Sequence, residues 1–232
     1  MTVRSELGRL GSSDAGLSVI LAIQISIVFV VAPLAATQTV SAQLTEMLRF
    51  GLAATTILIV ARHIVVRASI AFAFVATLLV SLHWQLGETA AAIVTGKIVA
   101  TTIFDTIVAA VVAYAAFGPG RITIHRILGA VILYLYVALI FAGIYRLMVV
   151  TLPSAFKGLP QGQRGQFSEL LYFSLSALTT GGSGEIVAQH PLVRSISSLE
   201  AVIGQLYPAT LLARLVTLHA SDRLDRDDPS SP

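Results

Sequence analysis

The chain contains no cysteine, which excludes disulfides, thiolate metal sites and cysteine nucleophiles by inventory. Charge is nearly as scarce: Lys, Arg, Asp and Glu make up 12% of the 232 residues, about half the share of an ordinary soluble domain. The net charge is only +3, with no basic cluster interleaved with aromatics, so no nucleic-acid partner is expected. His63, His83, His125, His190 and His219 are scattered near the ends of apolar runs without ligand spacing, so no histidine metal centre is expected. What fills the chain is apolar: 56% hydrophobic residues and a mean hydropathy of +0.85. Its solvent is lipid. Since each crossing takes about 20 apolar residues, a chain of this length can cross about six times and keeps little for a soluble domain.

Five apolar blocks, Leu17 to Ala36, Leu44 to Ala61, Val66 to His83, Glu88 to Phe117 and Ile122 to Leu152, are each long enough to span. The first is long enough to be a retained helix rather than a cleaved leader. Short polar breaks, among them Gly118-Pro119-Gly120, imply an up-and-down bundle of antiparallel neighbours. Arg4 and Arg9, Arg62 and Arg67, Arg121 and Arg126, and Arg214, Arg223 and Arg226 fall in alternate connections and at both ends. Cytoplasmic loops retain positive charge, so a multi-pass protein of the plasma (inner) membrane with both termini cytoplasmic is predicted.

The last third departs from this pattern. Pro153 to Gln166 is rich in Gly, Pro and Gln and reads as an exposed loop. Phe167 to Leu178 is apolar but too short to cross, which suits a re-entrant helix. Next comes Thr179-Thr180-Gly181-Gly182-Ser183-Gly184-Glu185, then a sixth crossing, Pro191 to Leu218, and a polar tail from Ala220 expected to be disordered. Non-helical backbone at membrane depth survives only inside protein or beside a water-filled cavity. Three glycines in four positions permit left-handed dihedrals that turn successive carbonyls toward one axis, and rings of such carbonyls replace an ion's hydration shell in selectivity filters.

Residues 170 to 219 resemble the potassium channel pore-loop superfamily, in particular its small prokaryotic six-helix members. Against the family filter Thr-Val-Gly-Tyr-Gly-Asp, Thr180, Gly182 and Gly184 match, Glu185 replaces the Asp, and Gly181 and Ser183 depart. Tyr172 and Phe173 fall at the pore-helix aromatic positions, Arg194 at the start of the inner helix and Gly204 at its hinge glycine. A fainter likeness runs back through Tyr145 and Pro153 to Phe156. The resemblance implies an all-α membrane protein with six transmembrane helices and a re-entrant pore helix and filter between the fifth and sixth. The expected divisions are 1–16 (cytoplasmic N-terminus), 17–117 (peripheral helices), 118–219 (pore domain) and 220–232 (cytoplasmic tail). It implies a homotetramer in the lipid bilayer, because one subunit supplies one filter strand. Potassium or another monovalent cation would bind the oxygens of Thr180, Gly181, Gly182, Ser183 and Gly184; passive conduction needs no organic cofactor. In the family the filter tyrosine braces the carbonyl ring against the pore helix. Ser183 is too short for that reach and Gly181 adds a flexible position, so weaker discrimination between potassium and sodium is expected.

Glu185 and Glu169 are candidates to concentrate cations at the outer mouth, or are simply solvated. Pro208 has no N–H for the Gly204 carbonyl, so Gly204 and Pro208 form either a gating hinge or a static kink. Lys97 and Asp105 are intramembrane charges spaced i, i+8 on one helix face, a proton or ligand sensor or a structural pair. With Lys97 as the single basic residue of its block, strong voltage gating is not expected. Glu200 either faces the pore or pairs with Arg194. Two competing readings remain. The departures at Gly181 and Ser183 suit a non-conducting scaffold or regulatory subunit. Gly181-Gly182-Ser183-Gly184 also matches the Gly-x-Ser-Gly of rhomboid-type intramembrane proteases, which need a histidine base within reach of the serine; the channel reading, not an enzyme, is preferred.

Overall fold

The computed structural model describes residues 21–36, 51, 91–117, 124–160 and 165–227. The second and third apolar blocks, apart from a helical Gly51, and the 1–16 segment lie outside the described residues. Helix α1 covers residues 21–36, with a π segment at Ile27–Val31 and a last α turn at Ala32–Ala36. The π segment sits just before Pro33, whose missing N–H and ring disfavour ordinary α bonding to the preceding turn. Helix α2 is Ala91–Phe117 and α3 is Ile124–Thr151. Within them Val94–Tyr114 and Arg126–Thr151 are long and apolar enough to cross a membrane, the two such stretches among the described residues.

Helices α2 and α3 pack along their length through small residues. A Cβ on Gly143 would lie 2.3 Å from Thr102 Oγ1, and one on Gly129 3.2 Å from Ala116 Cβ. The two contacts run in opposite sequence order, so the helices are antiparallel, and small side chains let them approach closely. Phe104 and Val108 of α2, Tyr136 and Leu139 of α3 and Val28 of α1 share one buried cluster with Leu171 and Leu178 of the next helix. These three helices are thereby joined to the short helix that follows by one continuous apolar core.

After α3 the chain forms strand β1, Phe156–Lys157, then the short helix α4, Gln166–Leu178, strand β2, Val187–Ala188, and the long helix α5, Pro191–Asp227. Two sequence expectations change here. Pro153 to Gln166 is not all exposed loop: β1 pairs antiparallel with β2, Phe156 opposite Ala188 and Lys157 opposite Val187. Ala155 is buried beside it, and its carbonyl accepts from the Gln189 and His190 N–H groups. Second, the tail expected to be disordered from Ala220 is helical through Asp227. No glycine or proline interrupts residues 209–227, and Pro229 follows as the next breaker. The described part is helical apart from this two-stranded ribbon and its turns, in keeping with the all-α expectation.

Candidate functional site: the Thr179 to Glu185 strip

Helix α4 begins after Gly165, which is left-handed at φ 78°, and carries Glu169 in its first turn, where a negative charge suits the helix dipole. Its C-terminus, the negative pole, points at the Gly-rich strip and so favours a cation there. The last four carbonyls of a helix lack helical partners, and here each has a substitute. Leu175 O accepts from the Thr179 N–H at 3.0 Å, Ala177 O from Thr180 N–H at 3.0 Å, and Ser176 O from both Gly181 (2.8 Å) and Gly182 (3.2 Å). Leu178 O accepts from Tyr134 Oη at 3.2 Å.

Capping the helix in this way turns the amides of Thr180, Gly181 and Gly182 inward and their carbonyls outward. The backbone alternates to allow it: φ is +57° at Thr180, +71° at Gly182 and +64° at Gly184, with Gly181 and Ser183 outside the positive region. Alternating left- and right-handed residues place successive N–H groups on one side of the chain, and the carbonyls accordingly on the other. Among the described residues no donor reaches the carbonyls of Thr180, Gly181, Gly182 or Gly184. Thr180, a β-branched residue, is strained at a positive φ, and such strain persists where surrounding contacts over-determine it.

Ser183 behaves differently. Its carbonyl accepts from Glu185 N–H at 2.6 Å and from Tyr172 Oη at 3.3 Å, while its own hydroxyl donates to Ile186 O at 2.5 Å. The brace that a serine side chain is too short to supply therefore arrives from the opposite direction, from Tyr172 of α4. Phe173, the other aromatic of that pair, is buried and stacks edge-on against Tyr145 of α3 and Phe156 of β1, with centroids 5.1 Å away in both cases. Beside the Glu185 end of the strip, Gly158 (φ +84°) presses on the Glu185 backbone; a Cβ there would meet Glu185 O at 2.0 Å. Glu185 is exposed, whereas Glu169 lies at the far end of α4, about 15 Å along the helix from Thr179.

Helix α5 closes the site from the other side. Glu200 neither faces solvent nor pairs with Arg194: it is fully buried, accepting from Tyr145 Oη at 2.5 Å and bonded to Ser174 Oγ, so it ties α5 to α3 and α4. Arg194 donates from Nε to Ala188 O at 3.1 Å. Gly204 touches the end of α4, where a Cβ would lie 1.7 Å from Leu178 O, and Gln205 Nε2 donates to Thr180 Oγ1 at 2.9 Å. The helix continues through Pro208. Tyr207 Oη donates to Ala130 O at 2.7 Å, and Arg214 Nη2 to the carbonyl of Phe117, the last residue of α2, at 2.9 Å. Lys97 and Asp105 both sit on α2, away from the strip, Asp105 buried and Lys97 half-buried.

Reading by residue type missed Ser174, Gln205 and Tyr134. The signal available was polarity inside apolar runs, SLSAL for Ser174 and VIGQLY for Gln205, since polar groups at membrane depth seek partners. Serine-protease chemistry needs a Ser–His hydrogen bond; the Ser183 hydroxyl is directed to Ile186 O, and His190 Nδ1 accepts the Leu192 N–H at 3.2 Å.

Comparison with known proteins finds a family model described as ion channel over residues 133–220, from the first half of α3 into α5. Comparisons with curated proteins and with solved structures give no match. The matched segment contains the carbonyl strip, the short helix that carries it and the two long helices that hold it, and this match over residues 133–220 supports the likeness to the ion channel pore-loop superfamily.

Proposed function

We propose that the chain is the pore-forming subunit of a passive channel for monovalent cations, potassium first among them, and that four copies surround one axis in the bilayer. The observation that carries this reading is the alternation of left-handed residues at Thr180, Gly182 and Gly184, with free carbonyls at Thr180, Gly181, Gly182 and Gly184. A single strip has oxygens on one side of an ion only, so replacing a hydration shell takes several strips facing each other. The strip and the α5 residues Leu199, Val202 and Leu206 are exposed in the single chain, which fits a surface awaiting further copies.

Potassium over sodium preference is expected to be modest. The Ser183 carbonyl is already engaged by Tyr172 and Glu185, leaving fewer rungs for a dehydrated ion than a filter in which every carbonyl is free. Six crossings with both termini cytoplasmic follow from the arginine pattern. Voltage dependence is weak on this reading, because α2 offers Lys97 as its one basic residue, and one charge moving through the field contributes only about 2.3 kcal/mol per 100 mV. Glu185 at the exposed outer end of the strip raises the local cation concentration.

Planar-bilayer recording of the purified protein in mixed potassium and sodium tests the reading. Cation currents with a potassium to sodium permeability ratio above one but below that of strongly selective potassium channels are expected. Absence of any cation flux, in bilayers and in liposomes, would leave the non-conducting scaffold as the better description.

A further inference from the structure

The backbone contact at Gly204 sets the register between α5 and the end of α4. With no Cβ in the way of Leu178 O, the next α5 residue, Gln205, comes level with Thr180, two positions beyond Leu178. Gln205 Nε2 donates to Thr180 Oγ1 at 2.9 Å, and Thr180 Oγ1 donates its one hydrogen to Thr179 O at 2.7 Å. A threonine hydroxyl has one hydrogen and two lone pairs. Here the hydrogen and one lone pair are committed, so the second lone pair is fixed in direction. The same residue is the β-branched one held at φ +57°, a conformation that relaxes unless its surroundings hold it. The side-chain hydrogen bonds at Thr180 are these two alone among the described residues.

We propose that Gln205 is a positioning residue for the α5-facing end of the filter. Its amide holds the Thr180 hydroxyl and the strained Thr180 backbone so that both oxygens face a dehydrating monovalent cation at the innermost site; this rests on reading the strip as a conducting filter. Without the amide, the bond to Thr179 O alone holds the hydroxyl, and the Thr180 peptide can flip its carbonyl out of the row. Gln205 thereby sets ion occupancy at that end, while the Gln205 Oε1, which accepts no hydrogen bond among the described residues, stays available to the ion's remaining water.

The test uses the purified full-length chain in planar bilayers, with Ba²⁺ added from the side that Gln205 faces as a probe of the innermost site. Gln205→Leu, which keeps the bulk and removes the donor, is expected to weaken Ba²⁺ block about tenfold, a factor within reach of one lost hydrogen bond per subunit. Thr180→Val, which removes both the acceptor and the hydroxyl oxygen that faces the ion, is expected to weaken block at least as much, and the double variant to be no worse than Thr180→Val alone, because Gln205 acts through that hydroxyl. Gln205→Met serves as a second variant of similar length, and the potassium-dependent rise in unfolding temperature of detergent-solubilised protein reads ion binding without current; that rise is expected to shrink in each variant. Unchanged Ba²⁺ block and unchanged potassium stabilisation in Gln205→Leu or Gln205→Met, with wild-type conduction intact, overturn the proposal alone. Effects that multiply in the double variant also overturn it, since they place the two residues in separate roles. A wild-type chain that neither conducts nor is stabilised by potassium overturns the channel reading and this proposal together.

Discussion

Replacing Gly204 by alanine puts a methyl carbon 1.7 Å from the carbonyl oxygen of Leu178, 2.6 Å from its carbonyl carbon and 3.0 Å from its Cα. All three are backbone atoms at the end of α4, and Leu178 O is further held by Tyr134 Oη at 3.2 Å, so no flexible side chain can swing aside. Relief requires α5 to move away from α4 by about 1.5 Å or more to reach ordinary contact. Overpacking of this kind costs typically 1–3 kcal/mol, and a rigid backbone partner places Gly204→Ala at about 3 kcal/mol. Against it stands the helix propensity of alanine over glycine, worth about 1 kcal/mol. The net expectation is a loss of about 2 kcal/mol, or a fall in unfolding temperature of about 4–8 °C for a chain of this size. The hinge reading of Gly204 gives the opposite sign, because a hinge glycine replaced by alanine gains helix stability and loses only bending. Thermal unfolding of the detergent-solubilised variant separates the two: an unfolding temperature equal to or above the wild-type value would refute the packing argument.

Three further expectations concern the surrounding contacts. Glu200→Leu leaves the buried Tyr145 hydroxyl without its acceptor and is expected to cost about 2–3 kcal/mol, while Glu200→Gln, which can still accept from Tyr145 and donate to Ser174, stays within about 1 kcal/mol; denaturant unfolding measures both, and equal losses would argue against the three-helix tie. Tyr172→Phe removes one of the two bonds to Ser183 O; the Glu185 N–H still engages that carbonyl, so no rung is regained, and loss of the brace is expected to lower the potassium to sodium permeability ratio roughly two- to fivefold, the worth of one modest hydrogen bond. A ratio that does not move means that Tyr172 does not brace the strip. Pro208→Ala restores an N–H four residues after Gly204 and is expected to change single-channel open probability, whereas unchanged gating in recordings marks a static proline.

Element type was legible along most of the described chain because it follows from local quantities. Apolar length marked α2 and α3, and the dozen apolar residues before the glycines marked α4, observed at Gln166–Leu178. The tail was misjudged because polarity was taken as disorder, although α5 runs to Asp227 with no breaker in its way. Ribbon β1–β2 was invisible because each strand is two residues long, too short for any alternation to register. At the site, the glycines announced an unusual backbone, but the alternating dihedrals also include Thr180, which no propensity rule would place at positive φ.

By itself the amino-acid order determined that this protein lives in lipid, that a short helix and a Gly-rich strip interrupt its last third, and that the backbone of that strip is permitted left-handed dihedrals. These follow from composition, run length and backbone permissiveness, each a property of neighbours in the chain. Tertiary structure alone decided how the pieces serve one another. It turned Glu200 from a possible pore charge into a buried tie between α3, α4 and α5, and it supplied the Ser183 brace from Tyr172. It made Gly204 a contact point and brought Gln205 to Thr180. These depend on which surfaces meet across residues 11 to 55 positions apart, and one missing Cβ, at Gly204, controls how closely two of those surfaces approach.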